Sequence, residues 1–259
     1  VDLGLAGRVV VVTGGTGGLG LASAVALAAE GAEVLVTGRS AERVQAAVEQ
    51  LGRDRAEGLV ADNADPDAAE RVVAAARTRF GRLDGALISV GGPATGTLAS
   101  TTDEQWRAAF DSVFLGAVRI ARTVAEAVAD RPGTPGEGGA IGFVLSTSAR
   151  SPIPGLTASN GLRPGLAMLV KQLGDEYGPR NVRSVGLLPG RFGTARVAEL
   201  DASTGDGAAS RAAHEASIPL RRYGDPAEFG RLAAFVLSPA ASYLTGSLVA
   251  ADGGLLRSP

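Results

Sequence analysis

Short apolar runs alternate with longer amphipathic or alanine-rich segments along the whole chain. The runs are Val9–Val12, Val34–Thr37, Ala56–Val60, Gly85–Val90, Ala140–Leu145, Val182–Leu188 and Leu248–Ala250. Runs this apolar suit strands buried on both faces, as in a parallel sheet covered by helices. The stretches between them, residues 18–30, 41–51, 66–80, 102–128, 157–177 and 226–237, read as the helices. Alternation kept up to the C-terminus predicts one α/β domain over residues 1–259, with right-handed crossovers. Its core is a doubly wound parallel sheet of about seven strands with helices on both faces. Two segments break the rhythm. Arg131–Gly139 (RPGTPGEGG) reads as a mobile Pro/Gly loop before the fifth strand. Residues 194–219 form a polar, alanine-rich insert after the sixth strand, over the strand ends where open α/β sheets bind ligands, and are expected to act as a lid.

Directly after the first run comes TGGTGGLG, Thr13 to Gly20, opening a helix. Gly14 permits a sharp strand-to-helix turn, and Gly18 lets the backbone approach a diphosphate with no Cβ in the way. Gly20 allows the helix to pack closely on the sheet, while the helix N-terminus offers unpaired N–H groups and partial positive charge to an anion. A glycine-rich string alone is weak, but a strand before it and a helix after it are the context that a dinucleotide site requires. The expected fold is therefore Rossmann-type, with Thr13, Gly14, Thr16, Gly18, Leu19 and Gly20 as candidate cofactor contacts.

Composition removes other chemistries. With 25 basic and 27 acidic residues interspersed, nothing marks a nucleic acid or an anionic membrane as partner. The absence of cysteine excludes disulfides, thiolate nucleophiles and most structural zinc sites, and the single histidine, His214, cannot form a metal cluster, so no metal is expected. No apolar run approaches the roughly 18–20 residues that span a bilayer, and the start lacks a basic, then apolar, leader. A cytoplasmic protein acting on a small molecule is the expectation.

The glycine spacing TGxxxGxG resembles the short-chain dehydrogenase/reductase family, and further landmarks extend the resemblance over essentially the whole chain. Asp62-Asn63 is similar to the family's adenine-contacting position. Ser89-Val90-Gly91-Gly92 stands where the family has Asn-Asn-Ala-Gly. Pro189-Gly190-Arg191-Phe192-Gly193-Thr194 resembles the PGxxxT segment that lines the nicotinamide. Arg222 to Glu228 (RYGDPAE), Tyr243-Leu244-Thr245-Gly246 and Asp252-Gly253-Gly254 match C-terminal signatures. The resemblance implies that Asp62, Asn63, Gly91, Pro189, Gly190 and Thr194 also contact a nicotinamide cofactor. It further implies a homotetramer or homodimer paired through the helices at 102–128 and 157–177.

The second strand ends in Thr37-Gly38-Arg39-Ser40. An acid here would take the ribose hydroxyls and repel a 2′-phosphate, whereas a guanidinium offers that phosphate a fork of donors. Arg39 therefore predicts NADP(H) in preference to NAD(H).

The resemblance fails at the catalytic positions. Where most active members carry a Tyr-x-x-x-Lys pair, this chain has Leu156 and Asn160, and Val113 occupies the place of a relay asparagine. The carbonyl-binding serine survives as Ser146 or Ser148. Arg163 shares a helix face with Leu156 and Asn160, so its guanidinium is a candidate oxyanion stabiliser, although not an acid near neutral pH. His214, in the insert, is a candidate acid. The set Ser146-Thr147-Ser148, Pro154, Leu156, Ser159-Asn160 and Arg163 resembles a divergent, 3-oxoacyl-carrier-protein-reductase-like branch of the family, with Ser146, Ser148, Asn160 and Arg163 as the candidate catalytic residues. A positioned acid contributes about 10²–10⁴-fold, and holding donor and acceptor together contributes roughly 7–11 kcal/mol. An oxidoreductase with altered proton delivery is thus the first expectation. A non-redox catalyst (cyclase, dehydratase or isomerase) in the same cleft, and a cofactor-binding protein without turnover, are the alternatives.

Overall fold

The computed structural model describes residues 1–129, 138–203 and 205–257, so most of the expected Arg131–Gly139 loop lies outside the described residues. The apolar runs become β1 (Val9–Val12), β2 (Glu33–Gly38), β3 (Ala56–Val60), β4 (Gly85–Ser89), β5 (Gly139–Val144), β6 (Val182–Pro189) and β7 (Ser247–Ala251). They form one sheet in the order β3-β2-β1-β4-β5-β6-β7, with every pairing parallel. Four consecutive valines build β1 because alternate side chains serve two cores. Val9 and Val11 enter one apolar layer, and Val10 and Val12 enter the other.

The helices are α1 (Gly18–Ala29), α2 (Ala41–Leu51), α3 (Ala68–Phe80), α4 (Asp103–Ala109), α5 (Gly116–Val128), α6 (Thr157–Tyr177), α7 (Ala195–Ala202), α8 (Gly207–Ser217) and α9 (Pro226–Leu237). Buried side chains of α1, α2 and α9 close one layer, and those of α3, α5 and α6 close the other. The RYGDPAE motif is explained locally. Asp225 caps α9, Glu228 reciprocates to the Asp225 N–H, and Arg222 grips both Glu228 oxygens at 2.7 Å.

The single helix expected over 102–128 is interrupted by a π-helical stretch, Phe110–Leu115, between α4 and α5. The wider turn rephases the apolar face. Before and within it, Trp106 and Phe114 lie against Gly161 and Gly165 of α6, where added Cβ atoms would come within 2.7 and 2.8 Å of the rings. After it, Gly116 presses on the Asn63 carbonyl, and Ile120 and Val124 face the sheet. The insert at 194–219 folds as α7 and α8, capped by Thr194 and Asp206. No described helix is long and apolar enough to cross a membrane.

The chain runs outward from β1 through β2 to β3, then returns to β4 on the other flank of β1. At such a reversal the crossovers diverge and leave a crevice at the carboxyl ends of the strands. Thr13 ties its two banks together. Its fully buried hydroxyl donates to the Ser89 carbonyl at 2.8 Å and accepts from the Ser89 N–H at 3.0 Å. Thr13→Val keeps the shape but leaves the Ser89 N–H buried without an acceptor, a cost of about 1–3 kcal/mol. Chemical denaturation should register that loss, and unchanged stability would mean that the bond carries no net weight.

Candidate functional site

The glycine-rich turn occupies the crevice. Gly14 and Gly18 have φ of +57° and +52°, in the left-handed region open to glycine. Gly20 is required for a different reason than the expected helix–sheet contact. A Cβ there would lie 2.3 Å from the Gly14 carbonyl, so α1 is seated on the turn itself. The cap residue, Gly17, provides no side-chain hydrogen bond, and the first turn of α1 has no acidic residue. Its backbone donors thus remain available to an anion.

Thr13 lies beneath this turn, tied to Ser89, and fixes the turn's position without presenting a donor of its own. Thr16 leans across Gly38, where an added Cβ would meet its methyl at 2.6 Å. Leu19 is half-buried beside the turn. Arg39 is exposed and, among the described residues, its side chain has no hydrogen-bond or ion-pair partner. A second such arginine was not anticipated. Arg43, from the first turn of α2, places its Nη2 2.7 Å from where a Cβ on Gly17 would stand. Its side chain also lacks a partner among the described residues. Only the i,i+4 spacing of Arg39 and Arg43 and the bare Gly17 hinted at this pair. Asp62 accepts from the Ala64 N–H at 3.0 Å, shaping the turn after β3 that presents Asn63.

The opposite bank is the segment after β6. Gly190 donates to the Ala251 carbonyl at 2.9 Å, fixing Pro189-Gly190 to the end of β7. Thr194 accepts from the Val197 N–H at 3.3 Å, and its methyl stands 3.7 Å from a Cβ position on Gly18, across the cleft. Gly91 is exposed in the loop after β4. Arg196, in the first turn of α7, reaches the Pro93 carbonyl of that loop at 3.2 Å.

The expected catalytic groups fall into two sets. Ser146 is half-buried and caps a short turn by accepting from the Ser148 N–H at 3.1 Å. Ser148 is buried, with its hydroxyl 2.9 Å from that of Ser159 on α6. The Asn160 amide is spent on the loop before α6, accepting from the Ile153 N–H at 2.9 Å and donating to the Ile153 carbonyl at 3.0 Å. The side chain of Asn160, a candidate catalytic group, is thus engaged within the protein. Leu156, at the head of α6, is half-buried in a strand-like bridge to Gly96.

Arg163 is buried, not displayed on the helix surface. It is 5% exposed, and its Nη1 donates to the Val144 carbonyl at 2.7 Å. Nε has no partner, no acidic side chain among the described residues pairs with it, and burial pushes its pKa down to about 10. It therefore remains charged at neutral pH. His214, the candidate acid, places its Nε2 4.0 Å from the Asp201 carboxylate. Burial and the neighbouring Arg191 lower its pKa, against the pull of Asp201. Asp201 also receives Arg191 and Tyr223, a cluster that sequence spacing did not reveal.

With this geometry in place, the relatives are informative. The sequence matches the family described as Enoyl-(Acyl carrier protein) reductase over residues 14–256. An uncharacterized oxidoreductase of Mycobacterium tuberculosis is 35% identical, covering 96% of this chain and 92% of the relative. Levodione reductase of Leifsonia aquatica is 34% identical, over 95% of this chain and 93% of its own. The crystal structure of L-sorbose reductase from Gluconobacter frateurii, complexed with NADPH and L-sorbose, superposes with a TM-score of 0.91 at 27% identity and covers 100% of both chains.

Asn160→Ala removes both ties to Ile153, and at about 0.5–1.5 kcal/mol per hydrogen bond stability should fall by roughly 1–3 kcal/mol. Hydrogen exchange at the Ile153 amide should accelerate. Unaltered protection there would show that the loop holds without Asn160.

Proposed function

This chain belongs to the short-chain dehydrogenase/reductase family, and from that premise we propose that it is an NADP(H)-dependent oxidoreductase. Its substrate is the carbonyl or hydroxyl group of a small molecule, and its proton delivery does not use a tyrosine–lysine pair. The observation that carries this reading is a pair of arginines, Arg39 and Arg43, whose side chains have no partner among the described residues, beside a glycine turn whose backbone is left open. Two guanidinium groups with no internal counter-charge suit a ribose 2′-phosphate.

In this reading the first turn of α1 takes the diphosphate, and Asp62-Asn63 borders the adenine. Gly91, Pro189, Gly190 and Thr194 hold the nicotinamide end, and the residues of the cleft fit such a group. When bound, the nicotinamide supplies or accepts the hydride. Ser146 binds the substrate oxygen, because its hydroxyl is the more accessible while Ser148 is committed to Ser159. Arg163 acts from within the protein. A buried positive charge with a backbone carbonyl as its hydrogen-bond acceptor favours negative charge developing at the serine turn. The final proton comes from water. Such a site forgoes the acid's contribution of about 10²–10⁴-fold and retains the benefit of proximity. The enzyme is cytoplasmic and assembles through α5 and α6 into dimers or tetramers, with α7 and α8 as a lid.

The engagement of Asn160 and the apolar Leu156 favour, as a second reading, cofactor binding without redox turnover, or non-redox catalysis in the same cleft. Oxidation of NADPH with a panel of ketones separates the two, since product without a change in cofactor absorbance marks the non-redox case.

NADPH should bind at least several-fold more tightly than NADH. Arg39→Ala and Arg43→Ala should each narrow that gap, and the double variant should narrow it most. Equal dissociation constants for the two cofactors in the unaltered protein would overturn the NADP(H) preference.

A further inference from the structure

Asp201 sits one residue from the end of α7, where an acidic side chain opposes the helix dipole and gives the helix nothing. It is nonetheless 5% exposed, and a buried carboxylate persists only where partners hold it. Its partners come from three other segments. Arg191 Nη1, in the loop after β6, donates at 2.8 Å, and the Tyr223 hydroxyl, in the loop before α9, donates at 2.9 Å. Ser210 of α8 donates at 3.4 Å, with His214 of α8 at 4.0 Å. The guanidinium of Arg211 lies 4.8 Å from the centre of the Tyr223 ring. Burial and the bond to Asp201 raise the Tyr223 pKa, so it remains a donor.

The two loops are themselves joined. Gly193 donates to the Gly224 carbonyl and Gly224 to the Arg191 carbonyl, each at 2.9 Å. Asp201 therefore fastens the far end of the α7–α8 unit to a braced pair of loops. The near end of α7 faces the glycine turn through Thr194 and touches the loop after β4 through Arg196. A bar anchored at one end by Asp201 and spanning the cleft at the other can be placed correctly only while the anchor holds.

We propose that Asp201 is a positioning residue for the cofactor. It latches α7 and α8 to the Pro189–Thr194 loop, so that this bank closes on the half of the dinucleotide remote from the 2′-phosphate. The inference rests on the reading of the cleft as an NADP(H) site. Arg191 and Tyr223 are the other members of the latch, and neither needs to touch the cofactor.

The test compares NADPH with 2′,5′-ADP, which carries the adenosine half and its 2′-phosphate alone, by calorimetric titration of the unaltered protein and Asp201→Asn. The dissociation constant for NADPH should rise about tenfold, some 1.4 kcal/mol, while that for 2′,5′-ADP stays within about twofold. Hydrogen exchange should quicken in α7 and α8 and stay unchanged in the sheet. Equal losses for both ligands, no loss for either, or unaltered exchange in α7 and α8 would overturn the latch. Should Asp201→Asn fail to fold, Tyr223→Phe removes one donor, keeps the ion pair, and should shift NADPH selectively by a smaller factor, with no selective shift counting against the proposal. Failure of the unaltered protein to bind either ligand would instead strike the cofactor reading, and this inference with it.

Discussion

Seven strands running in one direction force every connection to return across a face of the sheet, and this constraint organises everything else in the molecule. All the carboxyl ends then lie along one edge, where the glycine turn, the serine turn, the loop after β4 and the loop after β6 are gathered from distant parts of the sequence. The reversal between β1 and β4 decides where along that edge a ligand can enter. Thr13, bonded in both directions to Ser89, holds that junction closed at its base while the crevice stays open above.

Much of this was legible before any coordinates. Strands buried on both faces declare themselves as unbroken apolar runs, and five of the six predicted helices reappear with at most small changes at their ends. The π-helical stretch at Phe110–Leu115 was not legible, because rephasing depends on what α6 and Asn63 present to the helix. Periodicity placed Arg163 on the same face as Asn160, but it could not distinguish a displayed guanidinium from one buried on the Val144 carbonyl. The Gly20 constraint was legible as a residue type and misread as to partner. Asp201, Arg191 and Tyr223 left no pattern, since their meeting is made by two loops and a helix that no sequence period relates.

The charges of the cleft divide by burial. Arg39 and Arg43 stand in solvent without counter-charges among the described residues, where water meets their needs at little cost and, in the proposed reading, an incoming dianion gains from both. Arg163 stands in the interior with one backbone acceptor, where an unbalanced cation carries a desolvation penalty and exerts a longer reach. Asp201 shows the opposite solution, a buried charge surrounded by donors and used to hold segments together. In the proposed reading one site thus contains binding, electrostatic and mechanical uses of ionised side chains, separable by their surroundings.

Asn160 makes the two ends of the first turn of α6 unequal to substitution. Tyrosine placed at 156 alters a residue whose bridge to Gly96 is made by backbone. Lysine placed at 160 gives up both amide bonds to Ile153 in the same step, so the loop that presents residue 156 loosens as the new cation arrives. Position 156 can therefore change alone, whereas position 160 changes only together with the loop that it tethers.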